Sequence, residues 1–286
     1  MNYLKHEVHE IAPKTWCLSE FRLVNAFLIE GEEKAALIDT GTGVGDLYGI
    51  VRELTDKPIV ILITHGHFDH DGGIKQFGDV PVYLNPEDGK NMHQTLKMME
   101  KMMGSSDMNL MRQYYITSRA PIRYPEASVE ELLTLIPERS DSPIYDWEPI
   151  TDGMEIDLGG RKIKAIHTPG HTDGEMCFLD ESSRILFSGD TANVGIILMR
   201  QPENDTKLIK ICNETMKKLW DLESSYDKLG VGHDAVTMDK QIVKDYLDLT
   251  TGLLDGSIVG AYEETGFRKG DVARLGLAEL WYQCDA

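Results

Sequence analysis

The chain has 286 residues, of which 41% are apolar, enough to bury a substantial core within a single α/β domain spanning residues 1–286. Its net charge of −19 argues against a nucleic-acid partner, because binding to a phosphate backbone relies on clustered Lys and Arg. The sequence shows neither a charged-then-apolar leader nor an apolar stretch of about eighteen residues, so we expect a cytoplasmic protein without a membrane partner.

Short strands are predicted in the first part of the chain, where apolar residues alternate between turn residues. We expect these strands at residues 15–18, 25–29, 35–38 and 81–84. A hairpin turn is predicted at residues 30–33 and a helix at residues 43–54. The run of residues 59–63 is continuously apolar and β-branched, which is typical of a strand buried on both faces.

That buried strand is followed directly by the run His65-Gly66-His67-Phe68-Asp69-His70-Asp71-Gly72-Gly73. Site-forming loops of α/β proteins lie at the carboxyl ends of strands, and glycines let the backbone turn the side chains inward. Imidazole and carboxylate groups suit Zn²⁺, Fe²⁺ and Mn²⁺, but four of them so close in sequence do not all reach one ion. The run therefore favours two ions, one facing His65 and His67 and the other facing Asp69 and His70.

The alternative for this run is a polar surface loop that contains ordinary histidines. Against it, five of the nine histidines, at positions 65, 67, 70, 171 and 233, lie beside glycine or acidic residues. His167 is interpreted as structural, because it ends a predicted strand. No motif surrounds His6, His9 or His93.

The second half of the chain repeats the plan of strands followed by helices. Two hairpins are predicted, one joining residues 154–158 to 161–166 through Gly159-Gly160, the other joining residues 176–179 to 184–187. Helices are predicted at about residues 205–226 and 238–254, from the spacing of their apolar residues. The four cysteines show no Cys-x-x-Cys spacing and are expected to be reduced thiols.

Five phrases of the sequence together resemble the metallo-β-lactamase-fold hydrolase superfamily, in particular its glyoxalase II and lactonase-like branch. They are Ala36-Leu37-Ile38-Asp39-Thr40-Gly41, the run from His65 to Gly73, His167-Thr168-Pro169-Gly170-His171-Thr172, Phe187-Ser188-Gly189-Asp190-Thr191 and Gly232-His233-Asp234. The resemblance covers most of the chain, and the order and spacing of the phrases make it specific. It implies a four-layer αββα sandwich, with metal ions at one edge between two sheets.

The resemblance also implies a set of ligands for two divalent ions. His65, His67 and His171 would hold one ion, Asp69, His70 and His233 the other, and Asp190 would bridge them. Zinc is the expected metal, although nitrogen and oxygen ligands also permit Fe or Mn. Asp39 would accept a hydrogen bond from a ligand histidine and fix its tautomer. The alternative for Asp39 is a turn residue before Gly41.

Two bridged ions lower the pKa of a shared water and give a bridging hydroxide near neutral pH, so the expected reaction is hydrolysis. Asp69 is the expected catalytic residue, because it would orient that water and carry a proton to the leaving group. Zinc β-lactamases of the principal class carry Cys in place of Asp190, which disfavours antibiotic hydrolysis. Lactonases carry Tyr in place of Asn193, whose amide is a candidate substrate contact with a turn-forming Asn as the alternative.

The expected substrate is a thioester, a lactone or a carboxylic ester of a small molecule, by similarity to glyoxalase II. A phosphodiesterase is the alternative, because the same dimetal centre would serve a phosphate ester. A hypothesis of another class is a metal-containing metabolite sensor or effector with little turnover.

Residues 86–147 are interpreted as a helical insertion, because the interval from Asp69 to His171 is longer than in compact family members. Methionines concentrate there, at Met92, Met98, Met99, Met102, Met103, Met108 and Met111. Thioether side chains form adaptable apolar surfaces. We expect the insertion either to cover the substrate as a lid or to fill core gaps or a homodimer contact.

Overall fold

The computed structural model describes residues 4–92, 97, 100–101, 104–140, 142, 144–199, 206–265 and 268–284. His93 and the methionines at positions 98, 99, 102 and 103 lie outside the described residues, as does the first residue of the helix predicted from position 205. Within the described ranges, no helix combines the length and the apolar content needed to cross a membrane.

The first sheet has seven strands in sequential order. They are β1 (Glu7–Ala12), β2 (Thr15–Glu20), β3 (Val24–Glu30), β4 (Ala35–Ile38), β5 (Ile59–Leu62), β6 (Val82–Leu84) and β7 (Glu148–Pro149). Strands β1 to β4 pair antiparallel, whereas β4 to β7 pair parallel. The five strands predicted here are confirmed with small shifts at their ends, and β1 and β7 are additions to the prediction.

The second sheet has six strands in the order β14-β13-β11-β10-β9-β8. They are β8 (Glu155–Asp157), β9 (Lys162–His167), β10 (Met176–Asp180), β11 (Ile185–Gly189), β13 (Lys228–Val231) and β14 (Thr237–Asp239). Both predicted hairpins, β8–β9 and β10–β11, are confirmed. Gly159 and Gly160 turn the first with φ of +82° and +67°, which explains two glycines in that position.

The two sheets pack face to face around one apolar core. Phe27, Ile38 and Leu62 contribute from the first sheet, and Phe178 and Phe187 from the second. Cys17, Cys177 and Cys212 are buried free thiols, as predicted.

Helices cover the outer faces of both sheets. The first sheet packs against α1 (Leu47–Leu54) and the 3₁₀ turn Ile74–Phe77, and the second against α6 (Lys207–Asp221) and α7 (Gln241–Asp255). The short helix α2 (Phe68–Asp71) lies in the loop that follows β5. Helix α1 begins later than predicted because the Asp46 carboxylate caps it, accepting from the Gly49 N–H at 2.8 Å. The arrangement is the predicted αββα sandwich.

A third sheet of four strands is absent from the prediction and is a correction to it. Its order is β12-β17-β16-β15, with β12 (Gly195–Met199), β15 (Ala261–Thr265), β16 (Arg268–Leu275) and β17 (Ala278–Cys284). Ala273, Ala278 and Leu280 join the core formed with α7, so this sheet adds to the layer outside the second sheet.

The insertion is helical, as predicted, over α3 (Pro86–Gly89), α4 (Met108–Arg123) and α5 (Val129–Leu133). Met108 is buried in a core cluster and fills space inside the molecule, whereas Met111 is partly buried and packs against the same cluster. Because the inner side of α4 lies in this cluster, the helix is part of the folded core.

Candidate metal centre

The carboxyl ends of five strands meet at one edge of the sandwich. Strands β4 and β5 are parallel, and β9, β11 and β13 share one direction because β10 pairs antiparallel with both of its neighbours while β11 and β13 pair parallel. Asp39 follows β4, the His65 loop follows β5, and His171, Asp190 and His233 follow β9, β11 and β13. The topology therefore brings residues that are distant in sequence to one edge.

His65, His67 and His171 form the first group. His67 Nδ1 lies 3.0 Å from His65 Nε2 and 3.0 Å from His171 Nε2. One ring nitrogen from each residue lies within 4.8 Å of the other two, so three nitrogens face a common point.

Asp69, His70 and His233 form the second group, and Asp190 lies between the two groups. His233 Nε2 is 3.3 Å from His70 Nε2 and 3.5 Å from Asp69 Oδ2. Asp190 Oδ1 lies 3.3 Å from His233 Nε2, whereas Asp190 Oδ2 lies 3.7 Å from His171 Nε2. All seven predicted ligands therefore converge, with one Asp190 oxygen on each side.

In three histidines, the ring nitrogen that faces away from the centre, Nδ1, lies within hydrogen-bond distance of an acceptor oxygen. His171 Nδ1 lies 2.7 Å from the Ile197 carbonyl oxygen, and His233 Nδ1 lies 2.6 Å from the Leu23 carbonyl oxygen. A carbonyl only accepts, so each Nδ1 carries a hydrogen, and in the neutral form of each ring the lone pair of Nε2 faces the centre. His70 Nδ1 lies 2.8 Å from Asp39 Oδ2 in the same arrangement.

This donor set fits divalent metal ions. Lone pairs that face each other across 3.0 to 3.3 Å repel unless a proton or a cation lies between them. Two imidazole nitrogens on one tetrahedral zinc ion are about 3.3 Å apart, given its usual bond length. Three carboxylates, those of Asp39, Asp69 and Asp190, supply negative charge for such ions.

The pKa values in the cluster follow burial and these charges. Burial, with His171 beside it, lowers the pKa of His67 to about 3, and burial lowers the pKa of His65 well below its usual value. Both rings are thus neutral, which is the ligand form. Burial also disfavours charge on His70, but Asp39 and Asp190 raise its pKa to about 10, which reflects the negative charge collected there.

Asp39 makes the contact expected of it. Its Oδ1 accepts from the Thr64 N–H at 2.8 Å, and its Oδ2 accepts from the Thr64 hydroxyl at 2.8 Å and lies beside His70 Nδ1. Its backbone φ of +59° lies in the left-handed region that Asp tolerates, directly before the turn that begins at Gly41, so both interpretations of Asp39 are compatible with its position.

Asn193 makes a different contact from the one expected. It is 2% exposed, and its amide nitrogen donates to Asp190 Oδ1 at 2.9 Å while its amide oxygen accepts from the Gly195 N–H at 3.1 Å. The expected substrate contact therefore finds no support in this geometry. The amide instead orients Asp190.

Asp88 is a site residue that sequence reasoning missed. Its Oδ2 accepts from the Gly66 N–H at 2.9 Å and the Thr172 hydroxyl at 3.0 Å, and its Oδ1 accepts from the Gly174 N–H at 2.8 Å. One carboxylate thus ties the His65 loop to the His171 loop. No local motif marks Asp88, because its partners come from remote loops.

Glu175 was also missed, and it is fully buried behind the centre. Its Oε1 accepts from the Asp190 N–H at 3.0 Å and lies 3.8 Å from His65 Nδ1. Burial and the nearby Asp190 raise the pKa of Glu175 well above its usual value. An acidic residue directly before the buried strand β10 was the available signal.

The centre opens into a cleft of about 710 Å³. His67, Asp69 and His171 line it on the side of the centre. Apolar and basic side chains also line it: Met111, Tyr114, Tyr115 and Arg119 from α4, and Lys207 and Leu208 from α6. The insertion thus forms part of the cleft wall.

Comparison with known proteins places this arrangement in a family. The model of the metallo-beta-lactamase superfamily matches residues 20–253. The acyl-coenzyme A thioesterase MBLAC2 of Bos taurus is 29% identical over 186 residues, which cover 61% of this chain and 60% of that protein. The atrochrysone carboxyl ACP thioesterase nsrC of Aspergillus novofumigatus is 25% identical over 226 residues, covering 76% of this chain and 51% of that protein.

The match thus spans less than two thirds of each of these relatives. The crystal structure of a metallo-beta-lactamase family protein from Thermus thermophilus matches this structure with a TM-score of 0.57 at 22% sequence identity. The match covers 86% of this chain and 82% of that protein, and it supports the fold alone. Because the family model extends over most of the sequence and includes every residue of the centre, the chain belongs to the metallo-β-lactamase superfamily.

Proposed function

We propose that the protein is a metal-dependent hydrolase that cleaves an acyl thioester of a small-molecule carrier. The observation that carries the proposal is the convergence of His65, His67, His171 and Asp69, His70, His233 around Asp190, beside an open cleft. The first three would hold one divalent ion and the next three a second, with Asp190 between them and zinc as the expected metal. When bound, such ions activate water and polarise a substrate carbonyl.

The protein's own groups prepare this chemistry in three ways. The Ile197 and Leu23 carbonyls fix His171 and His233 in the tautomer that binds metal. Burial opposes ionisation of Asp69, but the neighbouring His70 and His233 lower its pKa, so its carboxylate is ionised. Asp69 lines the cleft, and its proposed role is to accept a proton from the attacking water and pass it to the leaving group.

The cleft favours a thioester whose carrier is anionic. Met111 and Leu208 offer apolar surface for an acyl chain, and Arg119 and Lys207 offer positive groups for a phosphate. The chain as a whole carries a charge of −19, so an anionic substrate needs such local contacts. Two curated relatives are named thioesterases of coenzyme A or acyl carrier protein, which supports the same substrate class.

The test compares acyl-coenzyme A with an N-acetylcysteamine thioester of the same acyl group, which lacks the phosphates. We expect metal-dependent hydrolysis of both. Lys207→Gln should raise KM for acyl-coenzyme A about tenfold and change KM for the truncated thioester little, because a hydrogen bond to a charged group contributes about 1.5–3 kcal/mol. Glu130→Gln, in the short helix α5, serves as the matched surface control.

Other substrates decide between the alternatives. If a phosphodiester is hydrolysed faster than any thioester, the protein is a phosphodiesterase. If a lactone is hydrolysed faster than any thioester, it is a lactonase. Protein that binds metal ions but turns over none of these substrates would favour the metabolite sensor.

A further inference from the structure

Tyr115 lies on α4, where the insertion meets the metal centre. It is 4% exposed, and its hydroxyl donates to Asp69 Oδ2 at 2.8 Å. The Leu23 carbonyl oxygen lies farther from the hydroxyl, at 3.4 Å. A hydroxyl has one hydrogen to donate, and the shorter of the two contacts directs it to Asp69.

The ring of Tyr115 is held from two sides. The guanidinium carbon of Arg119 lies 4.1 Å from the ring centroid, and the Phe68 ring packs edge-on at a centroid distance of 6.2 Å. Ile116 and Met108 belong to the same core cluster. These contacts fix the direction in which the hydroxyl points.

The acceptor oxygen is the one that faces the second ligand group. Asp69 Oδ2 lies 3.5 Å from His233 Nε2, and the outer nitrogen of His233 is bonded to the same Leu23 carbonyl that lies near the Tyr115 hydroxyl. One oxygen therefore both accepts from Tyr115 and points toward the site shared with His70 and His233.

We propose that Tyr115 is a positioning residue that holds Asp69 Oδ2 toward the ion site formed by Asp69, His70 and His233. The inference rests on the proposed function and deepens it, because it makes the insertion a structural part of the centre as well as a wall of the cleft. Family resemblance gave no indication of it, since α4 lies outside the five motif phrases.

Tyr115→Phe tests the proposal, because it removes the hydroxyl and keeps the ring. Metal-free protein is titrated with Co²⁺ against a competing chelator, and the visible absorption of bound Co²⁺ is recorded. Partners of metal ligands typically contribute about 10–100-fold in metal affinity. We therefore expect the dissociation constant of the site formed by Asp69, His70 and His233 to rise at least about tenfold and the Co²⁺ spectrum of that site to change.

The matched control is Tyr226→Phe, which removes a buried hydroxyl that donates to the Leu219 carbonyl oxygen at 3.0 Å, at the end of α6. It should leave both dissociation constants unchanged. A double-mutant cycle with Asp69→Ala separates positioning from a general loss of packing. If Tyr115 acts through Asp69, Tyr115→Phe causes no further loss in the Asp69→Ala background.

Wild-type Co²⁺ affinity at both sites of Tyr115→Phe would overturn the proposal, as would a fully additive loss in the cycle. Failure of the proposed function looks different. In that case the titrations give the expected result for Tyr115 and Asp69, but the wild-type protein hydrolyses no thioester.

Discussion

Asp39 illustrates how a residue outside the seven converging side chains can orient one of them. Its carboxylate accepts from Thr64 and lies 2.8 Å from His70 Nδ1. Asp39→Asn keeps the shape, and Asn tolerates the left-handed backbone at this position. The new amide keeps one acceptor oxygen for the Thr64 N–H and turns its NH₂ toward His70 Nδ1, so the histidine must change tautomer and lose the lone pair that faces the centre.

We therefore predict that Asp39→Asn weakens metal binding at the His70 site about 10–100-fold while the protein remains folded. Chelator competition measures the affinity, and circular dichroism checks the fold. Asp56→Asn is the matched control, because Asp56 is exposed and lies before β5, at the opposite edge of the sheet. Unchanged metal affinity in Asp39→Asn would contradict the tautomer argument.

Residues of the centre differ in how visible they are in the sequence. His65, His171 and His233 stand in recognisable phrases, and the structure brings them together. Asp88 and Glu175 do not, because a carboxylate that ties loops together looks like any acidic residue until its burial is known. Sequence reasoning therefore finds groups that face the centre more readily than the groups that hold them.

At the scale of elements, Arg112 anchors α4 to the loops of the metal centre. It is fully buried, and its guanidinium donates to the Thr42 carbonyl oxygen at 2.9 Å and the Gly72 carbonyl oxygen at 3.1 Å. Arg112→Met keeps much of the apolar stem but leaves both carbonyls without this donor. At about 1.5–3 kcal/mol for each hydrogen bond to a charged group, we predict a loss of roughly 3 kcal/mol in unfolding free energy.

Urea denaturation of metal-loaded protein measures this loss. Arg139→Met provides the control, because Arg139 is exposed in the same insertion. We also expect protease to cleave α4 faster in Arg112→Met, since the helix loses its attachment to the loops. Stability equal to that of Arg139→Met would show that α4 is held by its apolar contacts alone.

The C-terminal strands are elements that the sequence pattern does not predict. In β15, both faces are mostly exposed, so the alternation that identifies a half-buried strand is missing. Strand β12 pairs with β17, far along the chain, and no local signal reveals such a partner. Most strands of the two central sheets were predictable because they alternate or are apolar throughout, whereas β1, β7, β13 and β14 were not predicted.

At the scale of the whole molecule, the outer layers hold the loops of the centre in place. Tyr246 on α7 donates to the Asn193 carbonyl oxygen at 2.8 Å, and its hydroxyl accepts from the Ile196 N–H at 3.2 Å. Its hydroxyl also lies 2.9 Å from the Glu279 carbonyl oxygen of β17. The third sheet thus supports the loop that follows Asp190, which neither the motifs nor the resemblance indicated.

Because carboxylates gather at the centre, we expect the stability of the folded state to depend on bound metal ions. Asp39, Asp69 and Asp190 lie together with little solvent to screen them, in a chain of net charge −19. Ions that bind only the folded state stabilise it by about 4 kcal/mol at a free concentration of 1,000 times Kd. For a chain of this size, that corresponds to a change of on the order of 10 °C in the thermal midpoint.

We therefore predict that removal of metal by a chelator lowers the thermal midpoint by about this amount and that added Zn²⁺ restores it. Circular dichroism during heating measures the midpoint before removal, after removal and after addition of metal. Mg²⁺ is the control and should restore little, because it prefers oxygen ligands in octahedral geometry and five of the seven converging side chains are histidines. Equal midpoints with and without Zn²⁺ would mean that the seven side chains hold no ion strongly enough to matter for folding, and the proposed centre would then lose its physical basis.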